Sequence, residues 1–125
     1  MKKLLLLSML FFGTLSFAQD AFVKKYTQYI TTRNYVVEDA VEMNLTVVFN
    51  ENNEKVIKLY YPNGVVKTFY QVSPTEEGKT TGGYSYQLIQ VVDEKDGSTL
   101  GLQLFDDSGT LRLMIANGYK IEFYK

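Results

Sequence analysis

The feature that most constrains this fold is a repeated alternation of apolar and polar residues after residue 35. In 100–104, for example, three leucines alternate with Gly101 and Gln103. A period of two places alternate side chains on opposite faces of a β-strand, so this pattern is typical of strands with one buried face. It predicts strands at 35–38 (or an extension of it), 43–49, 56–61, 65–72, 84–92, 100–104, 111–115 and 119–123.

Short polar turns connect most of these segments. Asn117 and Gly118 stand between two alternating runs, which is a strong hairpin signal, and we expect a type I′ turn with positive φ at both residues. The polar segment 73–83 is the longest expected loop. Connections of two to five residues join antiparallel neighbours, so the strands should follow one another as an up-and-down meander.

A meander of about eight strands leaves two unpaired edges unless it closes into a barrel. We therefore expect a mainly β, antiparallel fold, a small barrel similar in architecture to the calycins, rather than an open sheet. The resemblance is one of architecture alone, because the Gly-x-Trp signature of lipocalins needs a tryptophan and the chain has none.

Residues 20–32 fit two patterns. Asp20 is a suitable helix N-cap, and helical spacing would place five apolar residues on one face: Phe22, Val23, Tyr26, Tyr29 and Ile30. Three threonines (Thr27, Thr31 and Thr32) favour a strand instead. We expect a short amphipathic helix or helical turn here.

The first 18 residues predict a secretory signal peptide. Lys2 and Lys3 precede a short apolar run, and Ser16 and Ala18 are small residues at the −3 and −1 positions of a cleavage site. The run is too short to span a bilayer, which takes about 20 residues. We expect cleavage after Ala18, a single β-domain at 19–125, a secreted or periplasmic location, and no transmembrane segment after cleavage.

The composition excludes several chemistries. The chain has no Cys and no His, so it lacks the catalytic groups of Ser-His-Asp and Cys-His enzymes. Its carboxylates cluster at turns without the spacing of a calcium loop. A net charge of −1 argues against nucleic acid, which attracts basic surfaces. We expect no enzymatic activity, no cofactor and no metal.

Several strands are apolar on both faces, which gives the one candidate binding feature. The bulkiest of the apolar residues beyond those needed for one buried face are aromatic. The candidate ligand-binding residues are Tyr60, Tyr70, Tyr84, Tyr86 and Phe105. Tyrosine combines a large apolar area with a hydroxyl and therefore suits mixed-polarity ligands. The first hypothesis is a non-enzymatic module that binds a small apolar or amphipathic ligand in the barrel mouth. The alternative is a protein–protein interaction domain, such as an accessory subunit, inhibitor or adhesin-like fragment.

Overall fold

A computed structural model describes residues 20–125, so the predicted signal peptide at 1–18 lies outside the described residues. The described part contains ten β-strands and one 3₁₀ turn at Glu51–Asn53. The strands are β1 (Phe22–Arg33), β2 (Val36–Val37), β3 (Val41–Phe49), β4 (Val56–Tyr60), β5 (Val66–Gln71), β6 (Glu76–Lys79), β7 (Ser85–Asp93), β8 (Thr99–Phe105), β9 (Leu111–Ala116) and β10 (Tyr119–Tyr124). No helix in this part is long and apolar enough to cross a membrane.

Eight of the strands form a closed antiparallel barrel. Its order is β1-β3-β4-β5-β7-β8-β9-β10, and β10 pairs back to β1. The closing register sets Gln28 opposite Tyr124 and Thr32 opposite Lys120. The prediction of an eight-stranded, up-and-down antiparallel barrel is therefore confirmed. The two remaining strands flank it, with β2 pairing β1 and β6 pairing β7.

The prediction of a helix at 20–32 is wrong, because this segment forms the strand β1. The segment lies between β3 and β10 and pairs with both, so two ladders of backbone hydrogen bonds override its helical spacing. The pairing register between β1 and β3 shifts between Tyr26 and Gln28. As a result, Tyr26 and Tyr29 both face the barrel interior. β1 is the eighth barrel strand, whereas the strand expected at 35–38 is only the two-residue β2.

Two loop predictions also need correction. The segment 73–83 contains the short strand β6 and is not simply a loop. Gly118 has φ 74°, but Asn117 does not have positive φ, so their turn is not type I′. The register shifts between Tyr119 and Lys120, which is typical of a hairpin with a bulge. The type I′ pattern occurs instead between β1 and β2, where Asn34 (φ 49°) and Tyr35 (φ 64°) form the turn.

Side chains fill the barrel interior. One cluster of buried residues comes from all eight barrel strands, and its largest fully buried members are Tyr26, Phe49, Phe69 and Phe123. The leucines predicted to face inward on β8 and β9 belong to it. The Tyr26 hydroxyl donates a hydrogen bond to the Gly109 carbonyl at 2.6 Å, so its polar atom is paired, and burial raises the pKa of this phenol.

Candidate functional site

Tyr60 and Tyr70, two of the sequence-predicted site residues, lie on the outer wall formed by β4 and β5. Their strand neighbours Leu59 and Phe69 are buried in the core, so these tyrosines face outward. The Tyr60 hydroxyl donates to Glu51 at 3.2 Å. The Tyr70 hydroxyl donates to Glu94 at 2.6 Å, and this bond raises the pKa of Tyr70. Both hydroxyl groups are therefore occupied by neighbouring carboxylates.

The other three predicted residues lie elsewhere on the outer wall. The rings of Tyr86 and Phe105 meet edge to face, with centroids 5.8 Å apart. Tyr84 and Phe105 line a shallow groove of about 280 Å³, whereas Tyr86 lines a different one. The structure thus separates the five candidates into two groups and places none of them in the barrel interior.

A small cavity adjoins the barrel core. It has a volume of about 270 Å³, and its lining includes Tyr29, Tyr61 and Ile121. Burial, together with the nearby side chains of Tyr29 and Asp93, raises the pKa of Tyr61. Sites for drug-sized ligands occupy roughly 300–1,000 Å³, so this cavity is below the usual size.

A larger concave surface lies outside the barrel, and we call it the outer groove. Its volume is about 720 Å³, which is within the usual range for small-molecule sites. The end of β1, the flanking strand β2 and the β9–β10 hairpin form its walls. The lining residues are Thr32, Tyr35, Val37, Arg112, Met114, Ile115, Ala116, Asn117, Gly118, Tyr119 and Lys120.

Contact between two turns shapes the outer groove. The left-handed pair Asn34 and Tyr35 folds β2 back along β1, so that Val37 lies opposite Thr32. The Tyr35 backbone N–H donates to the Gly118 carbonyl at 3.1 Å. A Cβ atom at Gly118 would lie 2.9 Å from the Tyr35 ring, so the ring occupies space that only glycine leaves free. The β1–β2 and β9–β10 turns therefore pack directly against each other.

The polar part of the outer groove is cationic. Arg112 and Lys120 are its charged residues, and no carboxylate among the described residues lines it. Arg112 donates to Glu122 at 2.9 and 3.0 Å and to Gln103 at 3.1 Å. The Lys120 ammonium lies 3.7 Å from Glu122, a looser ion pair. Lys120 is therefore the less engaged of the two cations.

One buried polar atom in the groove wall has no partner. Thr32 is only 6% exposed, and its hydroxyl makes no hydrogen bond within the described part of the chain. Buried hydroxyls are normally paired, because leaving one unpaired costs about 1–3 kcal/mol. Thr32 lies opposite Lys120 in the β1–β10 register, so this hydroxyl belongs to the cationic part of the groove.

The described carboxylates were compared with the requirements of a metal site and of a general acid. No group of three or more Asp and Glu residues in 20–125 is arranged to hold a metal ion. The two carboxyl groups with resolved shifts both have a lowered pKa, Glu51 through its bond with Lys58 and Asp96 through bonds from Ser98. A general acid needs a raised pKa, so Glu51 and Asp96 do not fit that role.

Sequence reasoning missed the outer groove. Its walls depend on the left-handed turn at Asn34 and Tyr35, and neither residue is the glycine that usually marks such a turn. The one sequence signal for the groove is Met114, an apolar residue on the otherwise polar outer face of β9. An apolar side chain on that face favours contact with another part of the chain or with a ligand. The groove combines residues up to 88 positions apart, and no local pattern predicts such a contact.

Comparison with known proteins gives no further guidance: no protein-family model, curated protein or solved structure matches the chain.

Proposed function

We propose that the protein is a non-enzymatic binding module that holds a small amphipathic ligand in the outer groove. The observation that carries this proposal is a groove of about 720 Å³ with apolar walls and two cations at one side. Small-molecule sites typically combine a mainly apolar lining with a few placed polar groups. The barrel interior is a poorer candidate because buried side chains fill it.

The proposed location is the periplasm or the exterior, reached by the signal peptide at 1–18. The proposal of a non-enzymatic role is supported by a chain without His or Cys, and therefore without the usual nucleophile–base pairs. In this setting the outer groove would capture, carry or sense its ligand.

Binding should depend on the apolar wall. We expect a ten-carbon amphiphile such as decanol to bind the protein, and Val37→Ser combined with Ile115→Ser to weaken that binding by about tenfold. Each substitution removes a small apolar contact, and about 1.4 kcal/mol in total corresponds to tenfold in affinity. Both side chains are partly exposed, so their loss should leave the barrel folded. Isothermal titration calorimetry measures the affinity.

Val72→Ser is the matched control for this test. Val72 is also exposed but lies outside the outer groove, so its replacement should not change the affinity. Equal weakening by the control and the groove variant, or no binding of the amphiphile at all, would contradict the proposal.

The second candidate function is protein–protein interaction, and exposed apolar residues at the groove rim favour it. Tyr35, Val36 and Val37 are 77%, 65% and 66% exposed, which makes a contiguous apolar edge on a small protein. A photo-crosslinking residue at position 36 would capture a specific partner on this hypothesis, whereas the same residue at position 72 would not. Equal capture at both positions would argue against a specific interface.

A further inference from the structure

We infer that the ligand of the outer groove is a single-chain carboxylate, bound with its acid group between Lys120 and the Thr32 hydroxyl. This inference rests on the proposed function, because it names the chemical class of the ligand for the same site. Three independent features of the groove support it: its charge, its unpaired hydroxyl and its apolar wall.

The charge of the groove favours an anion. The chain has net charge −1, yet both charged residues that line the groove are cations. Glu122 holds Arg112 through two hydrogen bonds and belongs to the lining of the neighbouring shallow groove. Glu122 also pairs loosely with Lys120, so Arg112, Lys120 and Glu122 together carry one net positive charge, and Lys120 is the cation held less tightly. A monoanion matches this charge better than a doubly charged phosphate ester.

The unpaired Thr32 hydroxyl favours a ligand that has a hydrogen-bond acceptor close to the Lys120 ammonium. Thr32 and Lys120 are directly opposite each other on adjacent strands, which brings their Cβ atoms to about 5 Å. The Thr32 hydroxyl has no acceptor in the described part of the chain. Because the Thr32 hydroxyl oxygen is itself buried, a carboxylate at this point would accept from the ammonium with one oxygen, and from the hydroxyl with the other after the Thr32 side chain rotates toward the groove. Charge-assisted hydrogen bonds of this kind are about twice as strong as neutral ones.

The apolar wall continues away from this polar end. Val37 lies opposite Thr32 on the far side of β1, and Met114 lies opposite Lys120 on β9. Ile115 extends the wall toward the turn at Gly118. An extended alkyl or acyl chain would bury its methylene groups against these side chains, whereas a fully polar anion would leave them exposed.

Three ligands of equal chain length test the head group. Decanoate, decanol and decylammonium are titrated at pH 7.5 below their aggregation concentrations, with calorimetry as the readout. We expect decanoate to bind most tightly and decylammonium most weakly. Lys120→Gln should weaken decanoate about fivefold and leave decanol unchanged, because a partly exposed ion pair contributes modestly. Lys120→Arg keeps the charge and should retain most of the affinity.

Two further variants separate the contribution of the Thr32 hydroxyl to decanoate affinity from the effect of surface charge in general. Thr32→Val keeps the shape of the side chain and should weaken decanoate by about threefold, with little effect on decanol. Lys25→Gln removes an exposed lysine outside the groove and should change neither affinity.

The outcomes distinguish the two proposals. Equal affinities for decanoate and decanol, or an unchanged decanoate affinity in Lys120→Gln, would overturn the carboxylate assignment while leaving the amphipathic groove intact. Failure of all three ligands to bind would overturn both.

Discussion

At the scale of single residues, Gly118 combines two constraints. Its φ of 74° lies in the left-handed region that favours glycine, and the Tyr35 ring occupies the space where a Cβ would stand. Gly97 has the same φ of 74° but no atom within 4 Å of that position. Comparing substitutions at Gly97 and Gly118 therefore separates the cost of backbone strain from the cost of steric contact with Tyr35.

We expect Gly97→Ala to destabilise the domain by about 1 kcal/mol through strain alone, and Gly118→Ala to cost about 1 kcal/mol more. Larger side chains at 118 should be worse, so Gly118→Val should cost at least as much. Urea denaturation measures the free energy of unfolding for each variant.

A double-mutant cycle with Tyr35→Gly shows whether the Tyr35 ring causes the extra cost at Gly118. In that background the two glycine substitutions should cost the same, because the obstructing ring has gone. An extra cost at Gly118 that persists without the ring would show that the two turns do not pack as described.

At the scale of elements, β1 shows where sequence patterns stop being informative. Its apolar residues have helical spacing, while its threonines favour a strand, so local signals conflict. The conflict is settled by partners that lie far away in sequence, namely β3 on one side and β10 on the other. In contrast, the leucines of β8 and β9 alternate cleanly, and their inward orientation was predictable from the sequence alone.

The closing β1–β10 pair can be tested by cross-linking, because the chain has no native cysteine to interfere. Gln28 and Tyr124 are opposite each other in this register. Opposed residues of antiparallel strands have Cα atoms about 4.5–5.5 Å apart, which suits a disulfide. We expect Gln28→Cys with Tyr124→Cys to form an intramolecular disulfide on mild oxidation. The bridge should raise the free energy of unfolding by roughly 2–4 kcal/mol.

A pair displaced along β10 serves as the control. Gln28→Cys with Lys120→Cys places the thiols four residues out of register, so it should stay reduced under the same conditions. Equal oxidation of the two pairs, measured by mass spectrometry after alkylation, would contradict the closing register.

At the scale of the whole molecule, the barrel is a scaffold filled by side chains, and the outer groove lies on its outside. The antiparallel meander from β3 to β10 was predictable from the sequence because its main strands carry their own alternation and turn residues, whereas closure through β1 was not. The candidate site was not, because the five aromatic residues chosen from composition are distributed over separate parts of the outer wall. The outer groove arises from contacts between the β1–β2 turn and the β9–β10 turn, which become adjacent only when the barrel closes.

Intermolecular nuclear Overhauser effects between decanoate and methyl-labelled protein show whether the ligand lies outside the filled barrel. We expect contacts from the alkyl chain to the methyl groups of Val37, Met114 and Ile115. Contacts to core methyl groups such as those of Leu59 and Leu102 would place the ligand inside the barrel and contradict this expectation.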